Sequence, residues 1–253
     1  MDGGIEQKSK GKRSRPVLVA EEIKQWVVER DLKPGDKLPN EAEMIALFAV
    51  SKGTVREALR ILEAQGLILT RTGPGGGSFV DKVSAERARS LLGNYFYFQE
   101  LSLADVYQMR KVLEPELSAS LAGKLNALQL GELDALANRH DHPAITADEE
   151  KEQHIASLAF HARLAEFAEN RLLGFVISFM AHILTDMTVY RQLYDPPNVE
   201  LWRRGRQHQL ELVKALRAGK SQEARRIMAS HMAIAEELMA TQEAKLARRF
   251  ISE

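Results

Sequence analysis

Lys52, Arg56 and Arg60 recur four residues apart, so on a helix their cations share one face. Such a stripe can meet phosphates, and an Arg or Lys near the helix start can bond the O6 and N7 edge of guanine. Ser51 and Thr54 stand beside them. Ser51 is a good N-cap, because its hydroxyl can accept a free backbone N–H of the first turn. Val55, Leu59 and Leu62 repeat at helical spacing on another face, suited to packing on a domain. Further along, Gly73-Pro-Gly-Gly-Gly77 makes a loop tip without bulk, where Gly75 and Gly76 can approach a phosphate backbone closely. Taken alone, the stripe is also what a solvated amphipathic helix carries. A glycine-rich loop can also cradle a nucleotide, but no Lys-Ser/Thr follows this one and no helix opens directly after it.

The elements that must hold these residues decide between the readings. Residues 38–80 read as a short helix, a tight turn, a second helix from Ser51 to a stop at Gly66, and two short strands, 67–71 and 78–80, around the glycine tip. That is the outline of a winged helix-turn-helix, whose second helix places its N-terminal residues in the major groove. The candidate DNA contacts are therefore Ser51, Lys52, Thr54, Arg56 and Arg60 on the helix, with Gly75 and Gly76 on the wing. Pro16 opens an earlier helix running to about Arg30, with Val17, Ala20, Ile23 and Val27 on its buried side. Residues 1–15 carry Lys8, Lys10, Lys12, Arg13 and Arg15 and are expected to form a disordered basic tail.

From Ser84 onward no strand or hairpin pattern is found. Helices are expected near 85–98, 102–124, 128–139, 148–168, 171–193, 199–218 and 221–249. Asn170 can cap one start, Pro196-Pro197 stops one helix, and Gly219 ends another. Seven helices without strands imply an antiparallel bundle. The expected fold is mainly α: a winged helix-turn-helix over 16–82, then an all-helical domain over 83–253.

Composition narrows the function. An apolar share of 45% suits a globular chain with a substantial core. Lys+Arg and Asp+Glu are both 35, so affinity for nucleic acid must come from local placement rather than net charge. Cysteine is absent, which excludes disulfides and thiolate chemistry. No run of about 18 apolar residues and no apolar signal core are seen, so neither a membrane span nor export is expected. The expected location is the cytoplasm.

Residues 34–80 closely resemble the DNA-binding domain of the GntR family of bacterial transcription regulators. The likeness rests on Pro34 through Pro39, Glu41, Glu43, Val50-Ser51, Thr54 through Arg60, Leu62-Glu63, Gly66-Leu67 and Ser78-Phe79-Val80. Two positions depart. Ala42 stands where many members carry a DNA-reading arginine, and Lys52 replaces a frequent arginine with a point charge. The remainder resembles the all-helical effector-binding and dimerisation domain of the FadR-type subgroup, through Arg110 to Glu114, Phe160-His161, Asn170, Ala215-Leu216 with Gly219, and Met228 to His231.

That resemblance implies a homodimer on a near-palindromic double-stranded operator, acting as a repressor switched by a small organic acid or related metabolite. For many subgroup members it also implies a divalent metal held by one Asp and three His. Here the matching positions are Ser157, His161, Gln209 and His231, with His208 beside the third. A hydroxyl and an amide are poor substitutes for carboxylate and imidazole, so no metal and no required cofactor are expected; a weakened site would use His161, His208 and His231. The candidate effector contacts are Arg110, His161 and His231, followed by Tyr190 and Arg191, with His182 weaker. Arg110 lies within an otherwise apolar pattern, where it either pairs with Glu114 or grips a ligand carboxylate. Two other functions compete. A helical-bundle enzyme, dependent on metal or histidine, would need a nucleophile or metal-bound water that the sequence does not supply. An architectural DNA protein fits poorly with balanced charge and a large helical domain.

Overall fold

Helix starts in this chain are written in short polar side chains. The computed structural model describes residues 13–99 and 101–251. Residues 1–12, where most of the expected tail falls, lie outside that range. By its contacts the chain divides into two compact units, one ending at Ser90 and the other beginning at Leu91.

In the first unit, α1 (Arg15–Glu29) opens with Pro16 in its first turn, where a missing N–H leaves nothing unpaired. The helix α2 (Glu41–Phe48) has a reciprocal cap: Glu43 N–H donates to Asn40 Oδ1 at 3.0 Å, and Asn40 N–H to the Glu43 carboxylate at 2.7 Å. The turn that follows passes through Ala49 in the left-handed region, φ 49°. Ser51 then caps α3 (Lys52–Ala64), accepting Thr54 N–H at 3.2 Å. Val19, Ala20 and Ile23 of α1 pack with Met44 of α2 and with Val55, Ala58 and Leu62 of α3 in one apolar core. Ala58 takes the inner position next to Leu59, which is only half-buried.

The wing is an antiparallel pair, β1 (Ile68–Arg71) and β2 (Gly77–Val80), with Ile68 opposite Val80 and Arg71 opposite Gly77. Lys37 adds a bridge to Phe79, and Leu38 N–H bonds Ser78 O at 2.9 Å. This third extended segment has no sequence signal, because prolines 34 and 39 bracket it and a single bridge needs no alternating pattern. Residues of α4 (Ala85–Tyr97) close the unit. Arg87 donates to Glu63 O at 3.3 Å and to Ala64 O, carbonyls in the last turn of α3, where Glu63 O also accepts Gly66 N–H at 2.9 Å.

The second unit is a helical bundle: α5 (Leu103–Leu121), α6 (Ala127–Ala137), α7 (Ala147–Glu166), α8 (Arg171–Tyr190), α9 (Val199–Arg217) and α10 (Ser221–Ile251). Ser102, Asn126, Thr146, Asn170 and Asn198 each cap the helix that follows by accepting backbone N–H groups. Both α5 and α9 pack along α10, α7 packs on α8, and α6 touches α7 and α9. Leu117, Leu133, Phe160, Ile177, Leu212 and Met232 are among the fully enclosed residues. Gly123 and Gly219 meet where two helices end: a Cβ on Gly123 would lie 3.2 Å from Gly219 Cα, and both have positive φ.

One sequence expectation needs correction. Within the 20 residues of α8 an 18-residue window has a mean hydropathy of 1.7, long and apolar enough to cross a membrane. The reason is its place between neighbours: α8 packs on both α5 and α7, burying Ile177, Met180, Ala181 and Leu184. A core helix covered on more than one side is apolar for most of its circumference.

Candidate functional site

The cations of α3 face outward. The side chains of Lys52, Arg56 and Arg60 are 62%, 56% and 73% exposed, while Val55, Ala58 and Leu62 fill the core. None of the three is bare. Arg56 Nε donates to Glu41 Oε1 at 2.8 Å, Lys52 Nζ lies 3.9 Å from Glu41 Oε2, and Arg60 Nη1 bonds Glu57 Oε1 at 2.6 Å. The Glu41 hydrogen bond raises the Arg56 pKa, and Arg56 lowers that of Glu41. Glu41 is therefore an acid set between the two cations nearest the start of α3. It fixes where Arg56 points. Sequence reading quoted Glu41 for its family likeness and missed this role. Ser51 Oγ and Thr54 Oγ1 bond each other at 2.9 Å, at the end of α3 where free N–H groups favour an anion.

At the wing, Gly75 has φ +79° and open space around it. Gly76 has no such room: a Cβ there would lie 2.5 Å from Arg71 O and 2.8 Å from Gly73 O. Lys37 reaches the same tip, with Nζ 3.4 Å from Gly75 O. Arg71 lies over the Phe79 ring at 4.7 Å. Both are exposed cations beside a tip that can come close to a backbone phosphate, and neither was singled out from sequence as a contact.

The second unit encloses a cavity of about 60 Å³ between α5, α7, α9 and α10, closed by the end of α6. That is room for a few waters or one compact ligand. Arg110 lies on its wall, 1% exposed, with Nε on Glu114 Oε1, its guanidinium 5.2 Å from the Tyr107 ring, and Nη2 without a partner. Both sequence alternatives for Arg110 thus have a footing: it pairs with Glu114 and keeps a donor in hand. Glu114 Oε2 accepts His161 Nδ1–H at 2.6 Å, and His161 Nε2 is 3.1 Å from His231 Nε2. A carboxylate only accepts, so His161 carries its proton on Nδ1, and His231 Nε2–H must donate to the bare His161 Nε2. Burial alone would raise the Glu114 pKa, but Arg110 and His161 hold it well below the usual range. Burial, with Arg110 nearby, lowers His161. Burial and the neighbouring His161 and His208 lower His231 further. Both imidazoles are therefore neutral at pH 7.

The four positions of the subgroup's metal set do converge here, but in other company. Gln209 Nε2 donates to Ser157 Oγ at 3.0 Å and to Ser157 O at 3.3 Å. The two imidazole nitrogens that an ion would need face one another with a proton between them. Glu114 is spent on Arg110 and His161. His208 stacks on His231 with centroids 5.2 Å apart and places Nδ1 on Arg204 O at 2.7 Å. Among the described residues no three His, Asp or Glu side chains are arranged to hold an ion. Two neutral imidazoles, a hydroxyl and an amide do not make a tight divalent site.

Tyr190 and Arg191 do not line the cavity. Tyr190 is 80% exposed at the end of α8. Arg191 is engaged by Glu243 and by Leu101 O at 3.2 Å. His182 lies outside as well, exposed and 3.7 Å from Asp186. Their helix turns them away because α8 gives the bundle its apolar face. In their place the wall carries Glu150, Gln153, His154, Trp202 and Arg206. A signal for the first three was present: Glu150, Gln153, His154, Ser157 and His161 fall on one side of α7, a polar stripe where a core face was due.

Comparison with known proteins decides the assignment. Residues 17–80 match the family described as bacterial regulatory proteins, gntR family, and residues 105–234 match the FCD domain. The chain belongs to the GntR family. It is 27% identical over 212 residues to the HTH-type transcriptional regulator LutR of Bacillus subtilis, covering 83% of this chain and 94% of that one. It is 27% identical over 236 residues to the HTH-type transcriptional repressor NanR of Escherichia coli, covering 87% and 85%. A solved GntR structure from Streptococcus agalactiae shares the fold at TM-score 0.57 and 20% identity, over 88% of this chain and 99% of that one. This GntR-family chain is a DNA-binding transcription regulator with an FCD effector-binding domain, and not an enzyme.

Proposed function

We propose that the chain is a repressor that binds a near-palindromic operator as a homodimer in the cytoplasm and is released by a small organic acid. The acid enters the cavity and sets its carboxylate against Arg110, with His161 and His231 beside it and no resident metal. The observation that carries this reading is the buried guanidinium with an unpartnered donor at a cavity wall. A carboxylate is the group that such a fork receives best. Operator contact falls to Ser51, Lys52, Thr54, Arg56 and Arg60 on α3 and to the wing tip at Gly75 and Gly76. Two such helices on one duplex require two-fold symmetry in both partners. Leu91, Tyr95 and Phe98 remain exposed on and just after α4 and offer apolar surface for a second copy. Repression follows the name of NanR, a repressor, although the Glc operon transcriptional activator of Escherichia coli is also 27% identical over 179 residues. Release requires the acid to bind the DNA-incompetent arrangement more tightly than the competent one.

The test is fluorescence anisotropy on the promoter fragment nearest its own gene, titrated with short organic acids. An acid that weakens binding in the wild type and has no effect on Arg110→Met supports the reading. An unchanged dose response in Arg110→Met removes Arg110 from the site. A turnover product from any bound acid would overturn the assignment of a regulator.

A further inference from the structure

Three deeply buried polar atoms on the cavity wall have no partner, and they are of opposite kinds. Arg110 Nη2 is a donor, whereas Gln153 Oε1 and Glu150 Oε2 are acceptors. The residues that carry them are 1%, 6% and 3% exposed, and all line the same cavity. The orientation of Gln153 is fixed by chemistry. Its Nε2 donates to His142 O at 2.9 Å, and a carbonyl can only accept, so Oε1 is the atom left over. The Glu150 carboxyl takes the Asn198 backbone N–H and still leaves Oε2 alone. Two more unpartnered atoms, His140 Nε2 and Arg206 Nε, belong to residues lining the same space. On α7 the acceptors sit one and two turns or more above Ser157 and His161 on one face. The cavity therefore has a cationic pole at Arg110 and an accepting pole at Glu150 and Gln153.

Buried polar atoms without partners are rare, and they mark the places where a ligand or ordered water belongs. Resting on the reading of this cavity as the effector site, we infer that the effector is a carboxylic acid that also carries hydrogen-bond donors, hydroxyl or ammonium, with its carboxylate on Arg110 and its donors on Gln153 and Glu150. A plain aliphatic acid would bury both acceptors against methylene groups. A neutral polyol could set a hydroxyl oxygen on Arg110 Nη2 but would bring no negative charge to the guanidinium, the stronger pairing. Sites built around such groups reject analogues that lack the complementary one far more strongly than they reject a change of size.

The experiment is a titration of the full chain carrying Trp26→Phe, read through Trp202, which lines the cavity. Short straight-chain acids are supplied in three forms each: unsubstituted, hydroxylated and aminated. The expected result is that at least one substituted acid binds about tenfold or more tightly than its parent. Gln153→Leu should cost the substituted acid more than its parent, so that the ratio between them falls toward one. The hydroxylated and aminated arms tell which donor is preferred. Parent acids that bind as well as every substituted form overturn the inference and leave the organic-acid reading intact. If no acid binds in an Arg110-dependent way, the effector-site reading falls, and this inference with it. Should Gln153→Leu not fold, the comparison of acids on the parent chain decides alone.

Discussion

Removing the Glu114 carboxylate should cost far more than removing the arginine it pairs with. Both side chains are about 1–2% exposed and joined by a direct ion pair. In Glu114→Gln the guanidinium stays charged, because an arginine does not give up its proton at any accessible pH. Breaking a buried pair in this way costs about 3–5 kcal/mol. In Arg110→Met the stranded group is a carboxyl, which still accepts His161 Nδ1–H at 2.6 Å and can take a proton. The loss there should be about 1–3 kcal/mol. The double variant Arg110→Met with Glu114→Gln strands no charge, since the glutamine oxygen can still accept from His161. It should lie within about 1–2 kcal/mol of the parent, well short of the summed single effects. The chain has two tryptophans, Trp26 in the first unit and Trp202 in the second. Trp26 Nε1 is buried without a partner, so Trp26→Phe orphans no acceptor and leaves Trp202 to report the bundle. Urea unfolding in that background yields the three free energies. For a unit of this size the Glu114→Gln midpoint should fall by about 6–20 °C on heating. A Glu114→Gln variant within about 1 kcal/mol of the parent, or a double variant equal to the sum of the singles, would refute the buried, charged pair.

Four further outcomes are expected. Arg56→Ala should keep both folded units, lower operator affinity and reduce the salt slope by about one; an unchanged slope would mean that Arg56 meets no phosphate. Gly76→Ala should weaken operator binding with the Trp202 transition unmoved, because its Cβ would force the tip away from Arg71 O; unchanged affinity would remove the tip from the interface. Burial and the Arg110 charge push His154 down to about 4 from 6.5, so it stays neutral in the folded chain through that window. The unfolded chain takes up the proton first, and stability present above pH 6.5 is lost toward pH 4 at up to about 1.4 kcal/mol per pH unit. His154→Gln should reduce that slope by up to one proton's share, with His161 and His231 supplying the remainder, in urea titrations at stepped pH, and an identical slope would show His154 to be solvated. Dialysis against a strong chelator should leave the Trp202 unfolding midpoint unchanged, whereas a fall would reveal an ion bound to the native state.

Most of the fold was legible because local chemistry and tertiary need agree. The two helix starts named from a capping side chain, Ser51 and Asn170, each have that side chain accepting a backbone N–H. Helix stops at Gly66 and Gly219 coincide with positive φ, which glycine alone adopts at little cost. The failures have one cause. The bridge of Lys37 to Phe79 and the grip of Arg87 on the α3 carbonyls join residues distant in sequence, and neither leaves a periodic trace. The apolar run of α8 was underestimated because it breaks the usual two-faced pattern. Neighbours on more than one side remove the need for a polar face.

The candidate site was legible only where charge was out of place. Arg110 stood out because a cation in an apolar repeat demands an explanation, and the cavity wall supplies it. Tyr190 and Arg191 were attractive by residue type, yet nothing in their spacing pointed inward. Glu150 and Gln153 were overlooked because each alone resembles ordinary helix surface, and Ser157 was noticed only as the residue standing where the subgroup's metal-binding aspartate is due. Their meaning comes from sharing a face with His161. An acid, an amide and a hydroxyl at that spacing put polar atoms where the packing of α7 requires apolar ones, and a helix pays conformational and desolvation costs to keep them there. A regulator that must sense a ligand has reason to bear this cost. Under the proposed function, the unpartnered atoms on the cavity wall are those that a complementary ligand would satisfy, so its binding energy and any shift it drives would come from the same few groups.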